Sequence, residues 1–280
     1  MREFKKLHPV IEHLLARKNK KVPVKDRRKI ALVLLGGAMA GIRGAGSMVA
    51  LHELGLSNAF DEIYTSSAGF CNASYLLSGN PKEGASIYYE NLCGNQFINY
   101  LKPWRVVNID HMINCARKSL NVENILTSKT KLYARVENVS KNQEGFLEAH
   151  KFPNQKYFEL MRAATVIPYL SPGTIKIGHY EYKDIITDDG WVNLLFDVLS
   201  SDLTDVLIIY NTKVQYGHIH KKAVTSLNSD RVYEILPQAS WKLSKLETNS
   251  KIIKQAAIQM GNLTKSIFGS KKPISIKSSK

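Results

Sequence analysis

Apolar and polar positions along the chain change period several times. Phe4, Leu7, Ile11, Leu14 and Leu15 recur at helical spacing with Lys and Arg between them. They predict a short basic amphipathic helix that ends around Asn19 to Pro23. Ile30 to Leu35 is an unbroken aliphatic run, the pattern of a parallel strand buried on both faces. A glycine-rich turn from Gly36 to Gly46 follows, and Met48, Leu51 and Leu54 continue as a helix closed by Gly55. Asp61 to Ser66 reads as a second strand and Ala68 to Leu77 as a helix ending near Gly79 and Pro81. Strand, glycine turn, helix, strand, sharp turn, helix is the alternation of an α/β protein with a mainly parallel sheet and helices on both faces. Lys131–Val136, Asp205–Tyr210 and Arg231–Leu236 are further strands, and Tyr157–Ala164 is a helix that stops before Pro168. Polar Gln215 to Lys222 reads as a surface hairpin. From Leu243 a helical stripe, Leu246, Ile253, Ala257, Met260 and Ile267, runs into a Lys/Ser tail.

Charge changes the picture at the two ends. The 280 residues carry a formal +15. Met1–Lys29 holds +8, Lys242–Lys280 holds +8, and the segment between them −1. This divides the chain into a basic amphipathic extension (1–28), a near-neutral domain (29–240) and a C-terminal helix with a basic tail (241–280). Nucleic-acid enzymes carry their basic stripe on the body, often with interleaved aromatics, so no nucleic-acid partner is expected. Basic ends on a neutral body suit an anionic membrane surface, or are simply solvated tails. Cys71, Cys93 and Cys115 form no CxxC pair, which points to a reducing compartment. With no apolar signal region and no span-length run, the expectation is a cytoplasmic protein, peripheral to a membrane at most.

Three stretches can carry chemistry. Thr65-Ser66-Ser67-Ala68-Gly69 lies between a strand and a helix. In a nucleophile elbow such small neighbours let the chain turn sharply and expose the serine hydroxyl. Ser67 would also stand at a helix N-terminus, which favours an oxyanion; the same pattern reads as a plain serine cap. Gly36-Gly37-Ala38-Met39-Ala40-Gly41 can aim backbone N–H groups at an oxyanion or a phosphate, although neither common phosphate-loop motif is present. Asp188-Asp189-Gly190 supplies a carboxylate that can act as a base for a serine, or is an ordinary Asp-Gly turn.

Taken together and in this order, the three stretches resemble the patatin-like phospholipases. The resemblance extends to Ala50-Leu51-His52-Glu53-Leu54-Gly55-Leu56, to Met161-Arg162-Ala163-Ala164 with Ile167, Pro168 and Pro172, and to Arg231–Pro237 with Lys242–Leu246, which is similar to a bacterial subgroup. It covers roughly residues 29 to 263. The resemblance implies a three-layer α/β/α fold and a serine esterase that degrades lipids without a cofactor or metal. Ser67 would be the nucleophile, Asp189 the base of a Ser–Asp dyad, and Gly36, Gly37, Ala38 and Met39 the oxyanion-hole turn. The substrate would be a phospholipid or another lipid ester, cleaved through an acyl-enzyme. Four positions depart from the family pattern: Ala38 replaces its third glycine, Ala40 its basic residue, Thr65 the first elbow glycine, and Trp191 the small residue after Asp-Gly.

Two alternatives stand beside this reading. His218 or His220 would complete a Ser–His–Asp triad in the chain order of α/β-hydrolases. A catalytically degenerate scaffold that binds lipid or membrane is the other.

Overall fold

The computed structural model describes residues 7–20, 24–153, 155–171, 173–185, 188–222 and 230–269, with the side chains of 188–189 and 218–222 excepted. Phe4, Pro172 and the tail beyond Gly269 lie outside the described residues. In chain order the elements are α1 (Pro9–Ala16), β1 (Ile30–Leu34), α2 (Ile42–Glu53), β2 (Glu62–Ser66), α3 (Ala68–Ser78) and α4 (Pro81–Glu90). Then come α5 (Ile109–Ser119), α6 (Val122–Thr127), β3 (Lys131–Asn138), β4 (Gln143–Glu148), α7 (Gln155–Ala163), β5 (Ile175–Ile177) and β6 (Tyr180–Lys183). The last are α8 (Asp188–Leu199), β7 (Asp205–Ile209), α9 (Lys213–Lys222), β8 (Val232–Ile235) and α10 (Ser250–Gly269).

The strands form one sheet in the order β5-β6-β3-β2-β1-β7-β8, with β4 also paired to β3. From β3 to β8 the neighbours are parallel. At the other side, β4 and β6 run antiparallel to β3, and β5 antiparallel to β6. The aliphatic run of β1 is buried throughout because its residues serve two cores in alternation. Ile30, Leu32 and Leu34 pack with α1, α2, α3 and α10, whereas Ala31, Val33 and Leu35 pack with Trp191, Leu194, Leu195 and Val198 of α8. This is the expected three-layer α/β/α arrangement. Each fully buried aliphatic side chain contributes about 1.5–3 kcal/mol of transfer free energy.

The first and last described helices, α1 and α10, are built into this body. Val10, Ile11 and Leu14 of α1 are buried in the larger core, as are Ile253, Met260 and Ile267 of α10. Helix α10 lies so close to α2 that a Cβ on Gly46 would sit 2.2 Å from the Ala257 carbonyl oxygen. The C-terminal stripe is therefore core, and its helix begins at Ser250 rather than Leu243. The segment read as a hairpin at 215–222 is helical, α9. Gln215 explains this: its buried side-chain amide accepts from the N–H of Asn211 and of Thr212, closing the helix start. Asp188-Asp189-Gly190 likewise forms the first turn of α8 rather than a free turn. Among the described residues, no helix is long and apolar enough to cross a membrane.

Candidate functional site

Parallel strands leave their carboxyl ends on one side of the sheet, and the chain reverses direction across the sheet next to β1. A crevice outside those ends is the place where such sheets bind ligands. The residues following β1, β2, β6 and β7 meet there.

Ser67 joins β2 to α3 with φ 50° and ψ −128°. A non-glycine residue in that region costs on the order of 1–3 kcal/mol and persists only where its surroundings enforce it. Close packing of glycines is the enforcement. A Cβ on Gly36 would lie 2.6 Å from the Ser67 Cβ, and one on Gly69 would lie 2.3 Å from the Leu34 carbonyl oxygen. Thr65 is accommodated because the close approach occurs elsewhere. It is an interior residue of β2, and its hydroxyl donates to the Tyr133 carbonyl on the neighbouring strand at 2.7 Å.

The glycine turn after β1 is pinned from behind. Asn211, after β7, donates its side-chain amide to the carbonyls of Leu35 and Gly36, and accepts from the Gly44 N–H at 2.8 Å. Gln215 adds a 2.7 Å bond to the Gly36 carbonyl. The four N–H groups of the turn have different fates. That of Gly36 donates to the Ser66 hydroxyl at 3.0 Å, and that of Met39 to the Lys245 carbonyl at 3.0 Å. Those of Gly37 and Ala38 have no acceptor among the described residues. Gly37 takes φ 149° and Ala38 φ 48°, so Ala38 holds a left-handed conformation that glycine would adopt with less strain.

Arg43 does not stand in for the basic residue absent at Ala40. Its buried guanidinium donates to the carbonyls of Asn211 and Trp241, away from the turn. Trp191 is buried in the smaller core, with the Lys245 ammonium 5.2 Å from the ring centre. Its size is thus a matter of packing beneath α8.

The carboxylate that meets Ser67 is Asp184, immediately after β6. It is buried, and the Ser67 hydroxyl is close enough to act on its titration. The backbone N–H of Ile185 donates to its Oδ1 at 2.9 Å. Burial pushes the Asp184 carboxyl up to about 8, against the opposing pull of the Ser67 hydroxyl and the Ile185 N–H. The sequence reading missed this residue, because Tyr182-Lys183-Asp184-Ile185 has no glycine after the acid. Its local signal is a lone acid closing a short strand. The side chains of Asp189, His218 and His220 lie outside the described residues.

Ser67, Ala38 and Met39 open onto a pocket whose deeper walls are apolar, among them Ile87, Leu92, Phe97, Ile109 and Met161. Among the described residues no charged side chain lines it. Its free volume is about 40 Å³, so it is a narrow slot. A strained serine, a buried carboxyl, two unoccupied N–H groups and an apolar slot can together support acyl transfer.

No curated protein sequence is recognisably similar to the chain. A solved structure, VipD from Legionella pneumophila, superimposes over 86% of this chain and 67% of its own, with 12% sequence identity and a TM-score of 0.47. The patatin-like phospholipase family profile matches residues 32–190, more than half of the chain, a stretch that includes the glycine turn, Ser67 and Asp184. The chain belongs to the patatin-like phospholipase family, a family of lipid acyl hydrolases.

Proposed function

We propose that this protein hydrolyses acyl esters of phospholipids or related lipids, with Ser67 as nucleophile and Asp184 as its base. One observation carries the reading: a strained serine at a helix start, open to an apolar slot, faces a buried carboxyl that it influences electrostatically. In the first half-reaction Asp184 accepts the Ser67 proton as Oγ bonds to the ester carbonyl carbon. The carbonyl oxygen becomes an oxyanion, held by the N–H groups of Gly37 and Ala38. The turn named from the sequence, Gly36 to Met39, thereby narrows to its two central residues. The C–O bond then breaks, the alcohol leaves with the proton from Asp184, and the acyl group stays on Ser67. Water attacks this ester while giving its proton to Asp184, and the fatty acid departs as Ser67 recovers a proton.

Asp189, the base suggested by the family resemblance, starts α8 and remains the competing carboxylate. Hydrolysis of p-nitrophenyl butyrate and of a fluorogenic phospholipid by Ser67→Ala, Asp184→Asn and Asp189→Asn decides between them. Ser67→Ala and Asp184→Asn are expected to lose on the order of 10³-fold or more in kcat/KM, with Asp189→Asn within about ten-fold of the parent. The reverse ranking of the two Asp variants transfers the role to Asp189. A parent chain that is silent on both substrates and unlabelled by a fluorophosphonate points to the non-catalytic lipid-binding scaffold.

A further inference from the structure

Soluble proteins rarely leave large apolar side chains clustered in water. Here Tyr100, Leu101, Trp104 and Tyr169 are 63%, 86%, 72% and 91% exposed. They belong to two loops tied together. The first is closed by the Ile98–Val107 bridge and by the Asn99 N–H donating to the Val106 carbonyl at 2.8 Å. The second is joined to it by the Val107 N–H donating to the Leu170 carbonyl at 2.8 Å. Trp104 and Tyr169 line one shallow groove. The inner flanks of the same loops, buried Phe97 and Ile109 and half-buried Ile167, are walls of the Ser67 slot. The exposed cluster therefore lies on the segments that frame the slot.

The surrounding charge is mainly positive. Residues 91–109 and 163–180 contain no Asp or Glu. Lys102 is exposed, and Arg105 and Arg162 share the single carboxylate of Asp110. The Tyr100 hydroxyl donates to the Leu246 carbonyl at 3.3 Å, which sets the cluster beside the loop that carries Lys242 and Lys245. Tyr and Trp with an aliphatic tip and cationic neighbours match the headgroup layer of an anionic bilayer, where amphipathic rings and Lys or Arg both gain. A second copy of this chain is a poor occupant, because a two-fold contact would set one cationic rim against another.

We propose that Tyr100, Leu101, Trp104 and Tyr169 form a docking surface that enters an anionic lipid bilayer and brings the Ser67 slot to the lipid. The proposal rests on the lipid-ester reading, and its test separates the two. Full-length chain carrying Ser67→Ala is floated with vesicles of phosphatidylcholine alone or mixed with phosphatidylglycerol, with and without Leu101→Glu and Tyr169→Glu. The chain without the Glu pair is expected to prefer the mixed vesicles, and the Glu pair to weaken that binding about ten-fold or more at an unchanged melting temperature. With Ser67 intact, the Glu pair should leave p-nitrophenyl butyrate hydrolysis as it was and depress hydrolysis of vesicle phospholipid. Equal flotation with and without the Glu pair overturns the proposal. So does self-association of the parent that the Glu pair abolishes, which would make the surface a contact between copies. Loss of flotation in a chain without esterase activity keeps the docking surface and removes the hydrolase reading.

Discussion

Asp184 is a carboxyl group almost deprived of water, and two properties of the protein follow from its displaced titration. On the proposal that Asp184 is the base, it must be ionised to act, so kcat/KM on a soluble ester should rise with pH through about 8, where this carboxyl loses its proton. A pH–rate profile measured from pH 5 to 10, on the order of the window this shift defines, checks it. The second property is stability. An unfolded chain ionises this Asp near its ordinary 3.8, whereas the folded chain holds the proton to about 8. The folded state therefore binds more protons between those values, and its stability falls as pH rises across that interval. Asp184→Asn lacks this penalty. Its melting temperature is expected to match the parent near pH 4 and to exceed it increasingly up to pH 8, with a gain on the order of a few kcal/mol. A variant that is more stable and inactive would be a stability cost retained for activity. Melting curves for the two proteins that run parallel across this range would exclude the displaced carboxyl.

The glycine turn and the Ser67 turn work as one unit, because neither reaches its conformation without contact from the other. Gly36→Ala would drive a methyl group to 2.6 Å from the Ser67 Cβ. Overpacking of this kind typically costs 1–3 kcal/mol and moves the backbone. The expected result is a melting temperature lowered by several degrees and a kcat/KM lowered by about 10²-fold or more, since small displacements of a reacting group cost that much. A variant with the activity of the parent would dissociate the geometry of Ser67 from Gly36. At the same scale, short polar elements deceive a local reading. The segment 215–222 looks like a hairpin in its polarity, yet Gln215 turns inward to bond the backbone at Asn211 and Thr212, and the chain coils from that point.

For the whole molecule, the N-terminal segment is a structural member fastened by Arg17. Its fully buried guanidinium bonds the carboxylates of Asp26 and Asp61 and the carbonyls of Ala59 and Arg28. Asp61 also accepts from the Ile30 N–H at 2.7 Å, so one cation links α1 to the starts of β1 and β2. Breaking a buried pair from one side leaves uncompensated charge, and Arg17→Ala is expected to lower stability by about 3–5 kcal/mol in denaturant titration. Lys at this position cannot reproduce a five-donor fork and should recover little. Asp26, held down at about 2 by that guanidinium, favours the folded state above its ordinary range, and this contribution is lost as pH falls towards 2. Acid unfolding of Arg17→Ala should therefore start from lower stability and show a shallower pH dependence.

Reading the chain alone determines the parallel βαβ frame, the glycine turn and Ser67. These depend on neighbours in sequence: a continuous aliphatic run buries on both faces, small residues permit a sharp turn, and a helix start follows. The partner of Ser67 is decided by tertiary structure. Strand β2 ends at Ser66 opposite Arg135 of β3, and β3 continues to pair Glu137 with Lys183 of β6. That ladder brings Asp184 to Ser67. Strands β5 and β6, of three and four residues, leave almost no periodic trace in the sequence, so no local pattern marks the acid that follows them. Its elevated titration is tertiary for the same reason, because only the completed fold removes the water that would hold it near 4.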